Sequence, residues 1–143
     1  LTRADAHNGW GEAAGYLGAV AEAYFELMRG AQERNVRESI EMIQQYIREH
    51  LSEDLSLIKL AEVSYFNPSY LSRLFKQATG QNLTDYISGL RVDRAKELLR
   101  DYGKKIGDIS TALGYESQHY FSRFFKKFTG MTPQEYRESI RMS

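Results

Sequence analysis

The sequence predicts an all-α protein in which a long central helix joins two helix-turn-helix subdomains, with an amphipathic helix preceding them. Three observations lead to this prediction. Apolar residues recur with helical periodicity and nowhere alternate with polar ones over a strand-length run. The only two prolines, Pro68 and Pro133, both lie at plausible helix starts. The stretch LSRLFKQATG (71–80) is nearly repeated as FSRFFKKFTG (121–130), which predicts two similar helices.

The first predicted helix covers about residues 12–34 and carries an apolar seam. Its members recur at spacings of three and four residues: Leu17, Val20, Tyr24, Leu27 and Ala31. The seam is about two heptads long, whereas a firm coiled-coil assignment needs three or four. The helix therefore either packs on its own domain or dimerises and transmits a signal. A second helix is predicted over about 36–50, with three isoleucines on one face, namely Ile40, Ile43 and Ile47.

The first helix-turn-helix is predicted over about 55–80, with helices over 57–64 and from Pro68 to Thr79. Ser56 and Asn67 are suitable N-caps, and Gly80 suits the left-handed position that ends a helix. A connecting helix follows over about 84–100. Its predicted apolar stripe consists of Leu83, Ile87, Leu90, Ala95 and Leu98.

Two arginines, Arg91 and Arg94, fall inside that apolar stripe. A charge on an apolar face needs a partner. The sequence leaves two interpretations open, namely a buried salt bridge that holds the subdomains together and a contact with a phosphate.

The second helix-turn-helix is predicted over about 106–130, with helices over 106–113 and 118–129 and a turn at Gly114. Thr132 and Pro133 begin a last helix. The two copies align at an offset of 50 residues, and the matched pairs are Tyr70 with Tyr120, Arg73 with Arg123, Tyr86 with Tyr136 and Arg91 with Arg141. Upstream the offset falls by one, so the turn of the second copy is one residue longer.

The second helix of each copy has an apolar face and an opposite polar face. The predicted core positions are Leu71, Leu74, Phe75 and Ala78, and Phe121, Phe124, Phe125 and Phe128. The polar faces carry Ser69, Ser72, Arg73 and Lys76, and His119, Ser122, Arg123 and Lys126. Neither polar face contains a carboxylate, whereas an ordinary solvated face mixes both signs.

These faces suit the DNA major groove, which an α-helix fills. Arginine can donate two hydrogen bonds to guanine, and Lys76, Lys126 and Lys127 would reach phosphates. The alternative is the solvated face of an interaction bundle that binds no DNA. The whole chain has 19 basic and 19 acidic residues, which by itself argues against nucleic acid. Residues 68–127, however, carry eleven basic and six acidic residues, and this excess coincides with the repeat.

Composition narrows the class of protein further. The chain has 143 residues and no cysteine, so it holds no disulfide, zinc–thiolate site or cysteine nucleophile, which suits a cytoplasmic location. No apolar run approaches the roughly 20 residues that a membrane helix needs, and no signal peptide is visible. His7, His50 and His119 show no metal-ligand spacing, no cofactor is implied, and we expect no enzymatic activity. Because the chain does not begin with Met, we interpret it as part of a longer protein.

Residues 37–141 resemble the DNA-binding domain of the AraC/XylS family of bacterial transcription regulators. The resemblance is carried by LAEVSYFNPSYLSRLFKQATGQNLTDYI (60–87), RVDRAKELL (91–99) and IGDISTALGYESQHYFSRFFKKFTGMTPQEYR (106–137). It implies seven helices, with recognition helices over about 68–78 and 118–128 that enter successive major grooves. The implied base-contacting residues are Ser69, Ser72, Arg73, Gln118, His119, Ser122 and Arg123.

The chain departs from the family pattern in the first copy. Pro68 stands where some relatives place a polar contact, and Ser69 is small where others place a large aromatic residue, so the first helix should read fewer bases than the second. Ser64 is expected at the turn position where glycine is common in the family.

The stretch NPSYLSRLFKQATGQNLTDYI is most similar to the corresponding stretch of response regulators in which an AraC-type output domain follows a receiver domain. Residues 1–36 would then be the extension from the upstream domain, and 37–143 the DNA-binding domain. The partners implied are double-stranded DNA, RNA polymerase and a second copy bound through the N-terminal helix, with no membrane.

Overall fold

A computed structural model describes the backbone of residues 3–143 and the side chains of 14–31 and 33–143. Over this part the chain forms seven α-helices and no strand, so the all-α prediction is confirmed. The helices are α1 (Arg3–Glu49), α2 (Leu57–Ser64), α3 (Pro68–Thr79), α4 (Leu83–Leu99), α5 (Ile106–Ala112), α6 (Gln118–Thr129) and α7 (Pro133–Arg141). None of these described helices is both long and apolar enough to cross a bilayer.

The chain divides into two compact units, Leu1–Ser39 and Ile40–Ser143. The prediction of separate helices over 12–34 and 36–50 is wrong, because α1 continues through residue 35 without a break. Asn35 has a low helix propensity, but no proline or closing glycine lies nearby to end the helix.

Three of the four helices in the two helix-turn-helix pairs begin at the predicted caps, whereas α5 follows Lys105 without a side-chain cap. Ser56 accepts a hydrogen bond from Lys59 N, and Asn67 accepts from Ser69 N and Tyr70 N. Ser117 likewise accepts from Tyr120 N at the start of α6. These caps satisfy amide groups that the first turn of a helix leaves unpaired.

The two copies also end and pack alike. Gly80 and Gly130 have φ values of 79° and 80°, which is the left-handed conformation that closes α3 and α6. The ring of Phe75 meets that of Tyr86 edge-on at 5.2 Å, and Phe125 meets Tyr136 at 5.5 Å. The sequence repeat is therefore a structural repeat.

Each copy has its own core. Buried apolar side chains of the first are Ile40, Ile43, Ile47, Leu55, Leu60, Ala61, Leu71, Leu74, Phe75, Leu83 and Ile87. The second core is Val92, Ala95, Leu99, Ile109, Leu113, Phe121 and Phe125. Ala78 and Phe128, both predicted to be core, are exposed because they lie in the last turn of their helices.

The connecting helix α4 belongs to both cores. The sequence predicted one stripe, but Leu83 and Ile87 are buried on one face, whereas Val92, Ala95 and Leu99 are buried on another. At 3.6 residues per turn these two faces point about 130° apart. The two halves of α4 therefore present their apolar faces to different helix pairs.

The turn of the first copy differs from the expectation for Ser64. Ser64 is helical, and its hydroxyl donates to Leu60 O at 2.8 Å. Tyr65 takes the left-handed conformation instead, with φ of 61°, and Gly114 takes it in the second copy with φ of 83°. Phe66 N donates to Ala61 O and Tyr115 N to Ser110 O, both at 3.1 Å, so the two turns match in hydrogen bonding.

The predicted buried salt bridge of Arg91 and Arg94 is wrong. Arg91 donates to two backbone carbonyls, Leu51 O and Glu53 O, each at 3.1 Å. Arg94 is exposed and pairs with Glu97 at 2.8 Å within the same helix.

Candidate nucleic-acid interface

The outer face of α3 is polar and cationic. Ser69, Arg73 and Lys76 are exposed, and Ser72 is half-buried between them and the core. The apolar residues Leu71, Leu74 and Phe75 hold the opposite face against the first core and so fix the direction of this outer face.

The outer face of α6 has the same layout with more side chains. Gln118, His119, Arg123, Lys126 and Lys127 are exposed, and Ser122 is half-buried. Phe121 and Phe125 are completely buried and anchor the helix. The predicted site residues of the second copy therefore share one helix, and those of the first share another.

Two of the α6 side chains have partners nearby. Gln118 Oε1 lies close to Gly107 of α5, at 3.2 Å from the position that a Cβ on that glycine would take. The amide of Gln118 therefore lies beside α5 rather than over the middle of the outer face. The ammonium of Lys127 lies 5.9 Å from the ring centre of Phe128, which leaves Lys127 at the edge of the face.

Electrostatics distinguish these two helices from an ordinary surface. Neither α3 (PSYLSRLFKQAT) nor α6 (QHYFSRFFKKFT) contains an Asp or Glu. Among the residues that the structure describes, Arg73 and Arg123 make no hydrogen bond or ion pair with the protein. Their donors are available to a ligand. Cationic side chains that carry no internal partner suit a polyanion such as DNA.

Sequence reasoning did not single out Tyr70 and Tyr120 as site residues. Tyr70 is 38% exposed and Tyr120 is 58% exposed, and both flank the outer face one residue after Ser69 and His119. The ring of Tyr70 packs edge-on against Phe66 at 5.5 Å, which holds it in place. The sequence signal that could have identified them is that Tyr70 and Tyr120 occupy matching positions in the two copies, at an offset of 50 residues. Each hydroxyl could donate to a phosphate oxygen.

Residues 60–139 match the family model described as "Helix-turn-helix domain". The chain is 40% identical over 95 residues to the uncharacterized HTH-type transcriptional regulator YobQ of Bacillus subtilis, covering 66% of this chain and 39% of that protein. It is 37% identical over 105 residues to the bifunctional transcriptional activator/DNA repair enzyme AdaA of the same organism, covering 73% of this chain and 50% of that protein. It thus spans half or less of these relatives.

Among solved structures, the C-terminal domain of AraT, a response regulator from Geobacillus stearothermophilus, is similar with a TM-score of 0.68. The two are 38% identical, and the likeness covers 71% of this chain and 84% of that one.

Proposed function

Because the chain belongs to the AraC/XylS family of DNA-binding transcriptional regulators, we propose that it reads two adjacent major grooves, one with α3 and the other with α6. The observation that carries the proposal is the pair of matched outer faces, which are exposed, cationic and free of carboxylates. An interaction bundle would have no reason to repeat such a face at the same helical positions.

The side chains divide into two roles. Arg73 and Arg123 are proposed to donate to guanine edges, with Ser69, Ser72, His119 and Ser122 beside them and Gln118 at the margin. Lys76, Lys126 and Lys127 are proposed to bind phosphates, which position the helices and make binding salt-dependent. The second helix is expected to read more bases, because its outer face offers His119 where the first offers only Ser69.

The length of α4 suits two grooves on one side of the duplex. Its 17 residues span about 25 Å at 1.5 Å per residue. Successive major grooves on one side of B-DNA lie about 34 Å apart. We expect the helices packed on either end of α4 to supply the remaining distance.

The proposal extends to the type of protein that contains this domain and to the proteins on which it acts. We infer that the chain is the cytoplasmic output domain of a two-component response regulator, supported by its likeness to the AraT domain. We further infer that it acts on RNA polymerase at promoters and has no catalytic activity, with the DNA repair named for AdaA remaining a property of that protein.

A second copy is proposed to bind through the N-terminal helix. Leu17, Val20, Tyr24 and Leu27 are between 47% and 71% exposed, although they form one apolar seam. The same seam on a second copy would bury these apolar side chains, as in a coiled coil. Leu27→Asp should weaken self-association in analytical ultracentrifugation, whereas Ala19→Asp on the opposite face should not. Equal behaviour of the two variants would contradict the dimer.

The main experiment is the selection of bound sequences from a random duplex library at near-physiological salt. We expect enrichment of two short boxes about one helical turn, roughly 10 base pairs, apart. Arg73→Glu should abolish preference in one box and Arg123→Glu in the other, while Arg29→Glu makes the same change in net charge on α1 and should alter neither preference. A folded chain that enriches no sequence would refute the proposal.

A further inference from the structure

Two arginines make the same unusual contact, one in each copy. Arg91 donates through Nε to Leu51 O and through Nη2 to Glu53 O, each at 3.1 Å. Arg137 donates through Nε to Leu99 O at 3.0 Å and through Nη2 to Asp101 O at 3.1 Å. In both cases a planar guanidinium binds two carbonyls, two residues apart, at or just beyond the C-terminal end of a long helix, a contact here termed an arginine clamp.

The sequence alignment did not reveal this pair. At an offset of 50, Arg91 matches Arg141, whose guanidinium instead lies 5.0 Å from the ring centre of Tyr102. The second clamp is made by Arg137, one turn earlier. Its contacts join the end of α4 to α7, and both of these segments pack on the second core, so the contacts stay inside the subdomain built around that core.

The clamp of Arg91 differs because the segment it holds touches the other subdomain. Gly114 lies in the turn between α5 and α6, and a Cβ built on it would be 2.1 Å from Ser52 O. Ser52 is the residue between the two carbonyls that Arg91 binds. The backbone of the first subdomain therefore packs directly on the turn that leads into α6.

Two clefts beside this contact include Arg91. One, of about 510 Å³, is lined by Ser52, Arg91 and Gly114 together with Ile87 and other residues of α4 and the 52–57 segment. The other, of about 410 Å³, is lined by Arg91, Gly114, Tyr115 and the α6 residues Tyr120 and Phe124. Arg91 therefore lies between the end of α1 and the base of the second recognition helix.

We propose that Arg91 is a positioning residue that, through the clamped 51–53 segment and its contact with Gly114, fixes the geometry between α3 and α6. It would thereby set which spacing between two DNA boxes the chain accepts. The part that concerns DNA rests on the proposed function, whereas the geometry between the helices does not.

The first test measures that geometry without DNA. The chain has no cysteine, so Gln77→Cys and Lys127→Cys place one spin label at the same position of each recognition helix. Arg91→Lys keeps the charge but replaces the planar fork with a single ammonium group. We expect it to broaden or shift the distribution of distances between the labels, measured by double electron–electron resonance.

The matched control is Arg137→Lys, which removes the equivalent clamp inside one subdomain and should leave that distribution unchanged. Arg91→Gln is a second variant, in case lysine finds an alternative carbonyl, and circular dichroism checks that each is folded. A parent-like distribution in both folded Arg91 variants would overturn the proposal. Equal broadening by Arg137→Lys would also overturn it, since the effect would then not be specific to the junction.

The second test uses the two selected boxes with one or two base pairs inserted between them. Simultaneous engagement of two sites can add about 100-fold in affinity and is lost when the geometry forbids it. The parent should lose most of this gain on insertion, whereas Arg91→Lys should lose less and Arg137→Lys as much as the parent. If the parent binds no double site, the proposed function fails while the distance measurement still decides the role of Arg91. The same spacing penalty in parent and Arg91→Lys would count against the inference alone.

Discussion

Replacement of Gly114 by alanine should destabilise the protein through two separate effects. The backbone at Gly114 has φ of +83°, and a non-glycine residue in this left-handed region costs about 1–2 kcal/mol. The added Cβ would also lie 2.1 Å from Ser52 O. Arg91 binds the carbonyls of the residues before and after Ser52, so this backbone cannot easily move away. Overpacking of this kind costs about 1–3 kcal/mol. We therefore expect a loss of about 2–5 kcal/mol in the free energy of unfolding.

Two other glycines separate these effects. Gly80 and Gly130 have φ values of +79° and +80°, and no heavy atom lies within 4 Å of a Cβ on either. Their alanine variants should lose only the backbone part, about 1–2 kcal/mol. Urea unfolding followed by circular dichroism gives all three values. If Gly114→Ala loses no more than Gly80→Ala and Gly130→Ala, the close packing of Ser52 on the turn does not constrain the protein.

Further predictions concern binding and stability. Arg123→Ala should weaken binding to the selected site by about 1–3 kcal/mol in titrations at fixed salt and relax preference at a single base, and a uniform loss over all sequences would contradict a base contact. Lys126→Ala should reduce the slope of log K against log salt concentration by about 0.9 without changing the selected sequence. Gly89→Ala, in the exposed middle of α4 with nothing within 4 Å, should raise the free energy of unfolding by about 0.5–1 kcal/mol, and a loss would mean that α4 is not a regular helix there. Burial raises the pKa of Tyr115 to about 12, partly opposed by the nearby charge of Arg91. Since the unfolded chain loses this proton near pH 10, the stabilisation by Tyr115 should be complete below about pH 10 and decline up to about pH 12. Tyr115→Phe should lack that decline in urea unfolding at pH 9 and 11.5, and an identical pH dependence in parent and variant would contradict the assignment.

Local chemistry made most of the helix boundaries predictable. Ser56, Asn67 and Ser117 cap their helices through hydrogen bonds within three residues along the chain, so sequence spacing alone contains the information. The outer faces of α3 and α6 were equally predictable from the sequence, because helical periodicity fixes which side chains lie opposite the buried Phe75 and Phe125. The assignment of individual residues to bases or phosphates stays a prediction.

Contacts between distant segments were not predictable in this way. Arg91 looked like half of a buried ion pair, since the sequence shows its apolar surroundings but not the carbonyls 38 and 40 residues away. The two faces of α4 were merged into one stripe because periodicity cannot show that different partners cover the two ends. Tyr65 was missed as the left-handed residue because tyrosine rarely adopts that conformation.

The division of α4 between two cores has a consequence for how the chain folds. Its N-terminal half completes one core with Leu83 and Ile87, and its C-terminal half completes the other with Val92, Ala95 and Leu99. Melting of either core would leave half of α4 without packing, and a short isolated helix is marginal in water. The two pairs should therefore gain and lose structure in one cooperative transition. A population of molecules in which only one helix pair is folded would therefore not accumulate.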